Sequence, residues 1–174
     1  MPLDLARLLF FPALMAFAAA SDLFTMTISN RVSLALVAGF LILAPLSGMG
    51  LPDVLSHIGA GAVLLVITFA CFTFGWIGGG DAKVASAAAL WFGFAHLMNY
   101  LLYASIFGGA LTLALMQFRQ WPLPYIMAGQ PWLVRLHAKD GGVPYGIALA
   151  LGALMIYPET DWVKAIEVAR FATP

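Results

Sequence analysis

The sequence predicts an all-α membrane protein, and three observations carry that prediction. Of 174 residues, 63% are hydrophobic and only 9% are charged, against about 25% charged in an ordinary soluble domain. The apolar residues fall into runs near the length needed to cross a bilayer, separated by turn residues. A glycine-rich break, Gly78-Gly79-Gly80-Asp81-Ala82-Lys83, leaves a carboxylate between two such runs, where a charge is costly and points to function.

Apolar runs of about 20 residues give about six transmembrane helices. The first covers roughly Leu5 to Ala20. Ala16-Phe17-Ala18 has the spacing of a signal-peptidase site. Asp4 offsets Arg7, however, and the run is long enough for a first, slightly short span. The polar connection Ser21–Arg31 follows. The second helix covers roughly Val32 to Leu46 and ends at Ser47-Gly48-Met49-Gly50-Leu51-Pro52. The third runs from about Val54 to Phe74 with Asp53 as its N-cap. The fourth is short, Asp81 to about Phe94, and the fifth runs from about His96 to Phe118. Only Gly93 and His96 mark a boundary between them; one continuous helix would move the sixth to the other side. A long interfacial loop, Arg119–Gly142, separates the fifth helix from the sixth, at roughly Val143 to Tyr157, and a polar tail closes the chain. The whole of 1–174 reads as a single integral-membrane domain.

Charge and cysteine usage exclude several functions. Net charge is zero and no basic patch exists, so no nucleic-acid partner is expected. The single cysteine, Cys71, lies in an apolar run and forms no CxxC pair. His57, His96 and His137 share no spacing, so no metal is expected, and no cofactor. With six spans, three connections hold Arg31, Lys83, Arg119, Arg135 and Lys139, while the other side holds Arg7, Lys164 and Arg170. The positive-inside rule then puts the first group in the cytoplasm and both termini outside. In the long loop, Trp121, Tyr125 and Trp132 lie among cations. That suits the headgroup layer of the lipid bilayer, or a surface on which a substrate docks.

Two carboxylates stand apart. Asp22 follows the first helix, Asp81 precedes the fourth, and two spans bring both to one membrane face. Two aspartates held close share one proton, so one acts as general base on water and the other as general acid. The glycines at 78, 79 and 80 leave room for an extended substrate. The plainer alternative is that Asp81 only caps a helix and Asp22 only pairs with Arg31. Paired acids also suit a small proton- or ion-coupled transporter, and a non-catalytic assembly subunit is a third possibility; no internal repeat of the transporter kind is visible.

At this point the residues resemble a known family. Gly78-Gly79-Gly80-Asp81-Ala82-Lys83 is similar to the GxGD-Lys motif of type IV prepilin peptidases, the A24 group of membrane aspartic proteases. Ser21-Asp22 followed by Ile28-Ser29-Asn30-Arg31 resembles the segment around that family's first aspartate, with Ser29 where proline is usual. Val143-Pro144-Tyr145-Gly146 resembles its last block. The chain is closest to the short, CpaA/TadV-like peptidases of tight-adherence (Flp) pilus systems. Leu23–Arg31 is too short for the methyltransferase insert with its CxxC pairs.

The resemblance implies an aspartic endopeptidase of the bacterial inner membrane that trims prepilin or pseudopilin leaders at the cytoplasmic face, just before an apolar helix. Asp22 and Asp81 would be its catalytic pair. Gly78, Gly79, Gly80, Lys83, Asn30, Pro144 and Gly146 would be motif or substrate-binding residues. Lys83 would steady the site, or else only snorkel to headgroups. Oligomeric state is not legible.

Overall fold

The computed structural model describes residues 2–172, with side chains through 166, so Arg170 of the charge tally lies outside the described side chains. Helices α1 (Pro2–Thr25), α2 (Asn30–Leu46), α3 (Leu51–Thr73), α4 (Gly79–Phe118), α5 (Tyr125–Ala128), α6 (Pro131–His137), α7 (Tyr145–Ile156) and α8 (Asp161–Ala172) make up the described residues, with one 3-10 turn and no strand. Helices α1, α3 and α4 are long and apolar enough to cross a membrane, and Asn30–Leu46 and Tyr145–Glu159 are shorter apolar helices. The chain is a multi-pass membrane protein.

The helix boundaries differ from the sequence reading where local chemistry outweighs hydropathy. Helix α1 continues through Ser21–Thr25, so Asp22 lies inside its last turns rather than beyond its end. Ser29 caps α2 by accepting from the Arg31 N–H at 3.3 Å, which gives the residue in the usual proline position a role of its own. Helix α3 starts at Leu51 with Gly50 as N-cap and Pro52 in the first turn, so Asp53 is not the cap; proline is preorganised for that first turn. The long loop is not a plain loop either: it contains α5 and α6. Arg119 donates to Leu136 O (2.9 Å) and Gly142 O (2.7 Å), while Arg135 donates to Phe24 O (2.7 Å). Its cations thus fold the connection and tie it to the end of α1, while Tyr125 and Ile126 remain over 90% exposed.

The polar tail is a helix as well. Trp162 and Ile166 of α8, one turn apart, are buried, and Trp162 Nε1 donates to Trp91 O at 2.9 Å. Charged neighbours hide this short apolar face in a hydropathy reading. Trp91 is the hub it joins: Phe11, Trp162 and Phe40 surround it at centroid distances of 5.1, 4.8 and 6.3 Å. Its own Nε1 donates to Leu36 O, so the buried indole is satisfied.

Gly93 decides the topology. Its φ of 56° and ψ of −175° break α4 into arms 79–92 and 94–118. A straight helix would hold Asp81 and Ser105 about 36 Å apart, yet both line one small cavity with Ala85 and Ala104. The rings of Phe92 and Tyr100 also meet at 4.8 Å. The arms therefore fold back on each other, and the fourth and fifth apolar runs are separate helices. His57 sits against the turn, donating from Nδ1 to Leu90 O at 2.6 Å and stacking on Phe40. A Cβ on Gly93 would lie 2.8 Å from its ring.

Gly93→Ala should therefore cost about 1–3 kcal/mol from backbone strain alone and lower thermal stability in detergent. Gly109→Ala, which meets nothing within 4 Å, serves as the control. Equal melting of the two variants would refute this account of the turn.

Candidate active site

One end of the bundle collects most of the residues singled out in the sequence. A cavity of about 240 Å³ is lined by Asp22, Met26, Thr27, Ile28, Gly78, Gly79, Gly80 and Asp81. The two aspartates, 59 positions apart, therefore open onto one space. Asp22 is only 6% exposed, whereas Arg31 lies exposed on α2. The alternative of a loop carboxylate paired with Arg31 does not fit that burial.

Asp22 is positioned by the last apolar helix. The Gly146 N–H donates to Asp22 Oδ2 at 2.7 Å. A buried carboxylate needs such a donor. Pro144, fully buried, is the N-cap residue of α7. With no N–H of its own to satisfy, it starts the helix whose first turn sends the Gly146 N–H to the site, while the Tyr145 and Ile147 amides are held by Val143 O and Pro144 O. A Cβ on Gly146 would lie 2.9 Å from Asp22 Oδ2 and 2.9 Å from Ile28 Cδ1. Only glycine lets the amide come this close.

Asp81 is positioned by its own helix start. Gly78 is the N-cap of α4, which makes Asp81 its third residue rather than its cap. The Gly78 backbone N–H points back at the Asp81 carboxylate, as the acidic member of a capping box does. A Cβ on Gly78 would come within 2.8 Å of Asp81 Oδ2. The three glycines are not equivalent. A Cβ on Gly79 would meet the Phe72 ring at 3.2 Å, and one on Gly80 would lie an ordinary 3.4 Å from Ile28. Gly78 is thus the one shaped around the carboxylate, and Gly80 bounds the cavity.

Between the aspartates the chain is not helical. Thr27, Ile28 and Ser29 are irregular backbone, and Met26 before them has φ 55°, a strained value for a non-glycine residue. The Ser21 hydroxyl donates to Thr27 O at 2.9 Å, and Thr25 Oγ1, which donates to Ser21 O at 2.7 Å, lies 2.8 Å from Thr27 Oγ1, so together they hold the segment down. Met26 and Thr27 pass unnoticed in sequence because short connecting residues are unremarkable until a strained turn is seen there.

Lys83 and Asn30 are not on the aspartate cavity. Lys83 Nζ donates to Asn30 Oδ1 at 3.0 Å. The lysine therefore links the starts of α4 and α2 instead of reaching either carboxylate, and both residues line an adjacent cleft.

A family model, the type IV leader peptidase family, matches residues 9–113, more than half of the 174-residue chain. The chain belongs to that family, and so to the proteases. The matched span includes Asp22, Asn30, the three glycines, Asp81 and Lys83, whereas Pro144 and Gly146 lie beyond it. Comparison with curated proteins and with solved structures gave no match.

If Gly146 holds Asp22 as described, Gly146→Ala should reduce proteolysis at least about tenfold, the scale of losing a positioning contact, while the protein still inserts and melts near the wild-type temperature. Gly80→Ala should be milder, because its methyl group fits beside Ile28. Full activity in Gly146→Ala would show that the amide contact is dispensable.

Proposed function

We propose, from membership of the type IV leader peptidase family, that this chain is a membrane aspartic endopeptidase with Asp22 and Asp81 as its catalytic pair. The single observation that carries this reading is the shared cavity: two carboxylates from distant helices, one of them buried, on one small space with irregular backbone beside it. The substrate class is a prepilin or pseudopilin leader of the tight-adherence type, cut at the cytoplasmic face of the bacterial inner membrane. Six crossings and a single domain without a methyltransferase insert complete the proposal.

In this mechanism one carboxylate, unprotonated, takes a proton from a water as its oxygen adds to the scissile carbonyl carbon. The protonated partner gives its proton to the carbonyl oxygen. The C–N bond breaks as the leaving nitrogen receives the proton first taken from water, while a hydroxyl of the tetrahedral gem-diol returns its proton to the carboxylate that protonated the carbonyl oxygen, so the new carboxyl group forms and the pair again holds one proton. Each carboxylate has one backbone N–H against it, from Gly146 or Gly78. That arrangement fixes the carboxylates while leaving the remaining oxygens free for water and substrate. A substrate strand must be locally extended to enter, because helical hydrogen bonds occupy the carbonyl to be attacked. The glycine floor and the bent segment at Met26–Ser29 suit such a strand.

Two experiments test the reading. Asp22→Asn and Asp81→Asn should each abolish leader removal from a co-expressed prepilin, a loss of at least about a thousandfold for a member of an acid–base pair, with membrane insertion unchanged. Normal processing in either variant would end the two-aspartate mechanism. In a Cys71→Ser background, Thr27→Cys should resist an impermeant thiol reagent added to intact cells and react once the cells are opened. Ready labelling from outside would reverse the proposed orientation.

A further inference from the structure

Beside the aspartate cavity lies a larger cleft, of about 510 Å³. Helices α2 and α3 follow one another through Ser47-Gly48-Met49-Gly50, yet they hardly touch. Leu34 and Val37 of α2 form one wall, Ala62 and Leu65 of α3 the other, and Ala87 of α4 part of the floor. From Asn30 to Val37 the cleft follows about 10 Å of helix, or two turns. Its exposed lining is largely apolar, with Ser33 and Ser86 as small polar residues and Asn30 and Lys83 meeting at one end.

That end lies next to the glycine break. Leu65 and Lys83 also line a smaller hollow that reaches Gly79, and Gly79 lines the aspartate cavity. Residues shared between neighbouring hollows thus link the cleft, past the glycine break, to the cavity that holds the carboxylates. We infer that this cleft seats the first turns of the apolar helix that follows the scissile bond in the substrate. The inference rests on the peptidase reading above and deepens it. Adjacency to the site selects this occupant over a lipid chain or a second copy, neither of which needs to lie beside the aspartates. The small residues suit it too: in lipid, helices associate by close packing at small side chains rather than by the hydrophobic effect. Ala62 and Ala87 let an incoming backbone approach.

This arrangement also divides the work of recognition. The strand being cut lies extended across the glycines, while the helix behind it is held by shape. Substrate affinity then depends on the helix, and the chemistry depends on the strand.

The test compares two substrates in proteoliposomes: a full prepilin, and a soluble peptide covering the leader and the first few residues after the cut. Ala62→Trp fills the cleft from a position exposed in the free protein, so folding should survive. It should lower kcat/KM for the full prepilin about tenfold or more, mainly through KM, and leave cleavage of the peptide unchanged. Val66→Trp, on the same helix but outside the cleft and 70% exposed, should affect neither. A photo-crosslinking residue at Leu34 in the Asp81→Asn background should give an adduct with the prepilin. If Ala62→Trp cuts both substrates like the wild type, or if Leu34 captures only lipid or a second copy, the cleft is not the seat, although the peptidase reading stands. If the wild type cuts neither substrate, that reading fails and this inference falls with it.

Discussion

Gly93 holds a backbone conformation that side-chain-bearing residues reach only under strain, and the other end of the bundle depends on it. The reversal there lets arm 94–118 run back along arm 79–92. Helix α7 then packs along α4 at very short range: a Cβ on Gly152 would meet Ala104 N at 2.7 Å, and one on Gly108 would meet the Tyr145 ring at 2.7 Å. Only with α7 in that place does the Gly146 amide reach Asp22. A glycine turn at one end of the molecule thus governs the geometry of a carboxylate at the other.

Small residues do this because the surroundings are lipid. Between apolar helices in a membrane little is gained by hiding apolar surface, so contact area and interhelical hydrogen bonds decide which helices pair. The alanine-rich arm, with Ala85, Ala87, Ala88 and Ala89 all buried, packs against α3 and α7 in this way. Polar bonds fasten the same seams: Thr68 Oγ1 lies 3.0 Å from Ser86 Oγ across α3 and α4. The aromatic cluster around Trp91 anchors α8 to the bundle.

The aspartate cavity and the adjacent cleft show two uses of missing side chains. Gly78 and Gly146 bring a backbone amide against a carboxylate, where a methyl group would collide. Gly79 and Gly80, with Ala62 and Ala87 in the cleft, keep space open instead. Lys83, bonded to Asn30, stands between these regions and braces two helix starts.

Much was legible in the sequence because a bilayer imposes a length scale. Apolar runs near that length marked the helices, and turn glycines marked their ends. Spacing alone was enough to put Asp22 and Asp81 at one end, since the parity of the intervening helices fixes that without any side-chain detail. Hydropathy could not see the helix starts set by Ser29 and Gly50, the buried pair Trp162 and Ile166, or the folding of the long connection by Arg119 and Arg135. Those depend on single hydrogen bonds and on contacts far apart in the chain. Nor could residue order show that Lys83 joins Asn30 rather than a carboxylate, or that α2 and α3 splay into a cleft. Residue order and the bilayer length determined which apolar segments are helices and which acids share an end, but not the short helices α5 and α6 or the tail helix α8. The tertiary structure decided which backbone amide meets which carboxylate, because a contact of 2.7 Å depends on how closely distant helices approach.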